Sequence, residues 1–212
     1  MKKILFSLLF TVCSTLLFAQ DQSNPGFKLG LTLHPNFGWL KSDNQGIKSD
    51  GLRAGFSYGL VGDFYFASNY AFSTGLKLTT INGQTKSESS TNNGEQNIYK
   101  LQYIEIPTKL KLTTNESNNM KFYGEFGLGN AFNVRAREDI KGFGTPVSDQ
   151  NISNQISFYR ASLIIGGGAE FLLSDKTSIA VGLSYDNGFT DIQSGSGTLK
   201  SSYLGLNLTV FF

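Results

Sequence analysis

The chain contains one histidine, His34, the only imidazole base available for proton transfer. Side-chain hydrolysis of a lipid or a peptide couples such a base to a serine or an acid. Pro35 follows His34 inside an extended segment, where a lone histidine more often packs or hydrogen-bonds. No catalytic residue is assigned, and an enzyme acting on lipid or peptide stays as the alternative reading. Metal chemistry has as little support. There is one cysteine and one histidine, and the acids do not cluster at ligand spacing. No cofactor site is assigned either. Gly166-Gly167-Gly168 has no helix pattern after it, as a phosphate loop requires.

The remaining chemistry is electrostatic, and its meaning depends on the elements that carry it. Beyond residue 20 the apolar residues recur at every second position over long stretches, with no useful helical period. Eight strands are predicted, over about 26–40, 52–66, 70–83, 97–113, 120–137, 156–173, 177–188 and 202–212. Strands of soluble proteins average about 5–6 residues, whereas a tilted strand crossing a bilayer needs about 9–11. The connections alternate as well. "ASN", "TNESNN" and "SDK" are short; "KSDNQGIKSDG", "GQTKSESSTNNGEQ", "EDIKGFGTPVSDQNISNQ" and "GFTDIQSGSGTLKS" are long and polar. These loops suit either a mobile binding surface or simple solvation.

Splitting each strand by parity separates two sets. Arg53, Asp63, Lys77, Glu105, Lys109, Lys111, Glu125, Arg135, Arg160, Glu170 and Asp186 share one parity with Gly30, Gly55, Gly59, Gly75, Gly127, Gly129, Gly166, Gly168, Gly182 and Gly205. Lys100 breaks the rule near a loop end. A soluble lipocalin-like barrel would turn the apolar set inward; a membrane barrel turns it outward. The lumen of an eight-stranded barrel has room only for side chains, so the glycine-rich set is the crowded inner one. Aromatics on the apolar parity form two bands. Phe27, Phe64, Phe66, Tyr70, Phe72, Phe122, Phe171 and Phe212 fall near the short turns; Trp39, Phe132, Tyr159 and Phe189 fall near the long loops. A β-sandwich would not require two bands. The expected fold is an all-β, eight-stranded antiparallel up-and-down transmembrane β-barrel, with a filled polar interior and negligible conductance.

The ends agree. "MKKILFSLLFTVCSTLLFAQ" has the basic start, apolar run and small-residue cut of a secretory signal, so residues 1–19 are expected to be removed and 20–212 to form the barrel domain. Cys13 leaves with the signal, since Val12 and the short run before it do not suit a lipid-modified cysteine. Loss of Lys2 and Lys3 takes the formal charge from +2 to zero. A nucleic-acid partner, which needs a basic face, is not expected. "YLGLNLTVFF" reads as the closing strand, its Leu204, Leu206, Leu208, Val210 and Phe212 facing lipid. Both termini then lie on the periplasmic side of a Gram-negative outer membrane.

A terminal Phe after alternating apolar residues is similar to the signal that barrel-assembly machinery recognises. The chain as a whole resembles the PorT-like outer-membrane β-barrel family of Bacteroidota. The resemblance is carried by "GFSYGLVGDFYFASNYAFSTGLKL", "LQYIEIPTKLKL", "FYGEFGLGNAF", "LIIGGGAEFLLSDKTSIAVGLSYDNGFTDI" and the final strand. It departs from the family on the third strand, where "STGLKLTTING" replaces a Glu-Leu-Leu-Tyr stretch. What it implies is a cell-envelope barrel, non-enzymatic, with a structural, surface-binding or secretion/gliding-accessory role. Its partners would be outer-membrane lipid, assembly machinery and secretion or gliding components.

Two interior contacts are expected from counting alone. If residues whose numbers sum to about 234 face each other across the turn at 114–119, Lys109 meets Glu125 inside the barrel. By the same counting over the longer loop, Lys77 comes near Glu105.

Overall fold

The computed structural model describes residues 26–43, 46–89, 94–142, 145–174, 176–193 and 197–212. The expected signal segment and its cleavage point lie outside them. The strands are β1 (Phe27–Ser42), β2 (Ile47–Ala67), β3 (Tyr70–Ser87), β4 (Gln96–Thr113), β5 (Met120–Lys141), β6 (Val147–Asn151), β7 (Tyr159–Leu172), β8 (Ser178–Gly188) and β9 (Leu199–Phe211). Each ladder is antiparallel, β9 returns to β1, and β4 pairs β5. The ring therefore runs β1-β2-β3-β4-β5-β7-β8-β9: eight strands, in chain order, with no open edge. Closure is what lets a sheet sit in hydrocarbon, since an edge there would leave backbone groups unpaired.

The short turns have local causes. Between β4 and β5, Asn118 (φ 53°) and Asn119 (φ 59°) occupy the left-handed region that asparagine tolerates, and Ser117 and Met120 exchange backbone bonds of 3.0 and 3.1 Å around them. β6 was not foreseen. It is a short strand inside the segment expected to be a long polar loop, and it pairs only with the loop end of β5, at Arg137, Glu138 and Ile140.

The barrel is inside-out relative to a soluble protein. Outward Leu31 and Leu183 are each 58% exposed, whereas inward Asp63, Glu105, Arg160 and Glu170 are 0% exposed. Phe27, Phe64, Phe66, Tyr70, Phe72, Phe122, Phe171 and Phe212 are all exposed at the short-turn end. At the other end Tyr159 and Phe189 are exposed, Phe132 packs on Tyr159, and Trp39 stacks on Tyr185 at 6.0 Å. A continuous apolar outer surface between two aromatic belts is a lipid-facing surface.

Arg135 departs from the expected parity. A β-bulge opposite Gln102 and Tyr103 inserts an extra residue into β5 between Asn133 and Arg135. Arg135 is thereby turned outward and exposed, and Ala136, placed on the lipid face by parity, becomes fully buried. One inserted residue exchanges the faces of everything beyond it.

The interior is also not polar throughout. Near the loop end, Leu40, Ile81, Leu101, Tyr103, Ala136, Leu199 and Tyr203 pack with Ile152, Ile156 and Ile192 from the connecting segments. Segments expected to be long polar loops thus supply Ile152 and Ile192 to the plug of the barrel mouth, and Ile156, expected to open the sixth strand, lies ahead of β7 and joins them. Isolated apolar residues in a polar loop have no periodicity, so strand patterning does not register them.

A filled barrel interior as the candidate functional site

The polar chemistry lies between that plug and the short turns, in three tiers. In the lowest, Lys111 of β4 is 2.6 Å from Asp63 of β2 and 3.4 Å from Glu170 of β7. Lys28 of β1 reaches the same Glu170 at 2.8 Å, and Ser178 donates to it at 2.7 Å. The Lys111 ammonium also sits over the rings of Phe211 and Tyr123, at 4.6 and 4.9 Å. The chain's last two phenylalanines therefore divide by parity. Phe212 faces lipid, and Phe211 floors the lumen under a lysine.

The middle tier holds the two anticipated pairs. Lys77 is 2.7 Å from Glu105, and Lys109 is 2.6 Å from Glu125. Thr79 and the Tyr203 hydroxyl donate to Glu105 at 2.9 and 3.3 Å. The register behind the second pair differs from the counting. Lys109 stands opposite Gly127, and Lys111 opposite Glu125, so the ladder is displaced by two residues and Lys109 reaches Glu125 diagonally. A long flexible stem absorbs such an offset, which is why the pair survives the error.

In the upper tier Arg160 pairs with Asp186, donates from Nε to Ser201 Oγ at 2.7 Å and from Nη2 to the Ser201 carbonyl at 2.8 Å. Ser162 donates to Asp186 at 2.7 Å. Counting across the turn at 174–176 sets Asp186 opposite Ile164, as the ladder has it, four residues along β7 from Arg160, and the long arginine side chain spans that offset. The Lys111–Asp63 contact would not have emerged that way, because β2 and β4 are separated by β3 and the pair spans the lumen.

His34 does have a serine partner. Its Nε2 lies 3.2 Å from Ser184 Oγ, and Ser184 donates to Asn207 Oδ1 at 3.3 Å. Gly205 lies flat against the imidazole, where any Cβ would overlap the ring. Both His34 and Ser184 are only 4% exposed. The cavity beside them measures about 50 Å³ and is lined by Lys77, Lys109, Glu125, Tyr203 and Asn207 among others. That volume holds a few waters and excludes an acyl chain or a peptide. The serine–histidine contact joins β1 to β8 and orders the wall there. Among the described residues no group of three or more His, Cys, Asp or Glu could hold a metal ion.

The fold has solved counterparts. The outer membrane protein OprG from Pseudomonas aeruginosa superposes with a TM-score of 0.50 at 12% identity, covering 88% of this chain and 96% of that one. Neisserial surface protein A gives 0.48 at 13%, covering 88% and 97%. Ail, the attachment invasion locus protein of Yersinia pestis, gives 0.40 at 16%, covering 88% and 97%. At such identities the likeness, drawn from OprG, concerns the fold alone. No curated protein matches the sequence. The family profile described as "Outer membrane protein beta-barrel domain" matches residues 18–194, most of the chain, and with the lipid-facing girdle and closed ring this establishes that the chain belongs to the outer membrane protein β-barrel domain family.

Proposed function

We propose that this chain is a non-conducting, non-catalytic outer-membrane barrel that works as a surface-binding protein, with its long loops outside the cell and both termini periplasmic. The carrying observation is the unequal height of its walls. β2, β3, β4 and β5 run 18 to 22 residues, whereas β7, β8 and β9 run 11 to 14. The surplus of the tall strands stands above the aromatic belt, continues into β6, and carries charge outward: Lys48, Lys86, Lys100 and Arg137. Ion pairs brace it. Lys100 meets Asp139 at 2.6 Å, and Arg137 meets Asp149 at 2.9 Å. Every residue of β6 is exposed. A rigid polar sheet held above the membrane is a presentation surface, and the filled lumen beneath it supports neither transport nor entry of substrate.

Orientation is tested with single cysteines in the chain carrying no other beyond Cys13. A cysteine at Val147 is expected to react with an impermeant maleimide on intact cells, and one at Asn118 only after lysis; the reverse pattern overturns the orientation. Role is tested by comparing secreted and surface proteomes of a deletion strain carrying either the wild-type gene or one with residues 146–151 replaced by a Gly-Ser linker. Surface binding predicts normal secretion and loss of specific surface proteins in the linker strain. A general secretion defect would instead favour the accessory role implied by the PorT-like resemblance.

A further inference from the structure

On the low wall, β1 and β9 place Lys41 directly opposite Lys200. Both point outward, on the parity of Trp39 and Leu204. Like charges facing each other across an antiparallel ladder destabilise it. The other facing lysines, Lys48 and Lys86, have Glu88 2.7 Å from Lys48. Among the described residues neither Lys41 nor Lys200 joins a salt bridge.

What lies beneath the two ammonium groups identifies their counter-ion. Trp39 and Tyr185 stack with ring centroids 6.0 Å apart and planes 9° from parallel. Beside the stack, Ser202 and the Tyr185 hydroxyl both donate to Asn187 Oδ1, at 3.1 and 3.3 Å. Trp39, Ser202 and Asn187 stand side by side across β1, β9 and β8, and the twin cations come two residues farther along β1 and β9. Lys41 lies two positions beyond Trp39, which is about 7 Å along the strand and about 5 Å in height at a barrel tilt. The headgroup layer beyond the hydrocarbon is about 5–8 Å deep. The lysines therefore stand at phosphate depth, and among the described residues no two lysines face each other at the short-turn rim.

We propose that Lys41 and Lys200 form a site for the phosphate of a phosphorylated glycolipid of the outer leaflet, its sugar against Asn187 and Ser202 and its first acyl carbons against Trp39. The bound phosphate replaces the missing protein acid and removes the cross-strand repulsion. The site lies on the low wall, opposite the tall sheet, so the lipid would not obstruct a partner there. The proposal rests on the orientation given above, in which this rim meets the outer leaflet.

The test uses the native protein in nanodiscs doped in both leaflets with diphosphorylated or dephosphorylated lipid A, so the readout does not depend on which end faces outside the cell. Native mass spectrometry counts the lipid retained. At the usual contribution of a basic residue near an anionic surface, the wild type is expected to prefer the phosphorylated form by about 30-fold. Lys41→Gln with Lys200→Gln is expected to abolish the preference, Lys41→Arg with Lys200→Arg to keep it, and Lys121→Gln, beside Glu116 at the short-turn end, to leave it unchanged. Equal retention of the two lipids by the wild type overturns the proposal, with no variant needed. So does a preference that survives the double glutamine change in a protein still showing heat-shifted migration, or one that excess inorganic phosphate abolishes, which would mark an ion site. Maleimide labelling reports the orientation separately, so its failure and the site's failure are distinguishable.

Discussion

The two halves of the lumen solve the same filling problem with opposite chemistry. Near the short turns the inner wall is a lattice of charge, in which Lys28, Lys111, Asp63 and Glu170 share partners. Near the long loops it is hydrocarbon, with Leu40, Ile81, Leu101, Ile152, Ile156 and Ile192 closing the mouth. The charged half is built only from strands, whose positions the ladder fixes, so partners can be held at bonding distance. The apolar half recruits loop residues, and apolar contact tolerates the looser placement a loop provides. Directional bonds sit where geometry is rigid; non-directional ones sit where it is not.

The largest expected effect comes from breaking the rigid half. Arg160 is fully buried, with Asp186 1% exposed beside it. Arg160→Met strands that carboxylate and is expected to lower stability by about 3–5 kcal/mol in urea titrations of the refolded barrel. Adding Asp186→Leu should recover much of the loss, because no unpaired charge remains. The same contrast is expected for Glu125→Gln against Lys109→Met with Glu125→Leu. A double variant whose loss equals the sum of the singles would show that charge pairing is not what holds this half together.

Next comes the lipid face, which both halves share. Leu206 is mid-strand, outward and 38% exposed to the surroundings. Leu206→Arg is expected to cost about 2–4 kcal/mol, the penalty of a cation near the bilayer midplane. Folding yield in liposomes is the measurement, and an unchanged yield would mean that the outer surface is not in hydrocarbon.

The plug should respond more weakly and locally. Ile192 is 0% exposed, and its truncation to alanine leaves a cavity costing about 2 kcal/mol. Amide exchange should rise in Ile152–Ile156 and Leu199–Tyr203 while the short-turn half stays protected. Uniform loss of protection would show that the halves unfold as one unit.

Legibility in the sequence follows the same division. Strand count, closure, lipid face and the Lys77–Glu105 and Lys109–Glu125 pairs all follow from a period of two, which long strands repeat often enough to be read. What escaped breaks that period or crosses it. The bulge that turns Arg135 outward is a single inserted residue. Lys111 meets Asp63 across the lumen, which adjacent-strand counting cannot reach. Ile152, Ile156 and Ile192 lie in loops, and β6 is too short to alternate. His34 and Ser184 are 150 residues apart, and only the closed ring brings β1 and β8 close enough to touch.

The smallest effect tests whether charge matters by chemistry or by place. Lys48 and Glu88, above the membrane, are 2.7 Å apart, the same separation as Lys77 and Glu105. The side chains of the upper pair are 69% and 48% exposed, and those of the lumen pair 10% and 1%. Water screens the upper pair and solvates either partner left behind, so Lys48→Ala is expected to change stability by no more than about 1 kcal/mol and less in high salt. Lys77→Ala has no such solvent, and Glu105 would keep only the hydroxyls of Thr79 and Tyr203 for its charge. Urea midpoints for the two variants, taken at low and high salt, settle the matter. A Lys48→Ala loss as large as that of Lys77→Ala, and equally insensitive to salt, would mean that the protruding sheet excludes water as the lumen does, and that it is not the open polar surface on which the binding role depends.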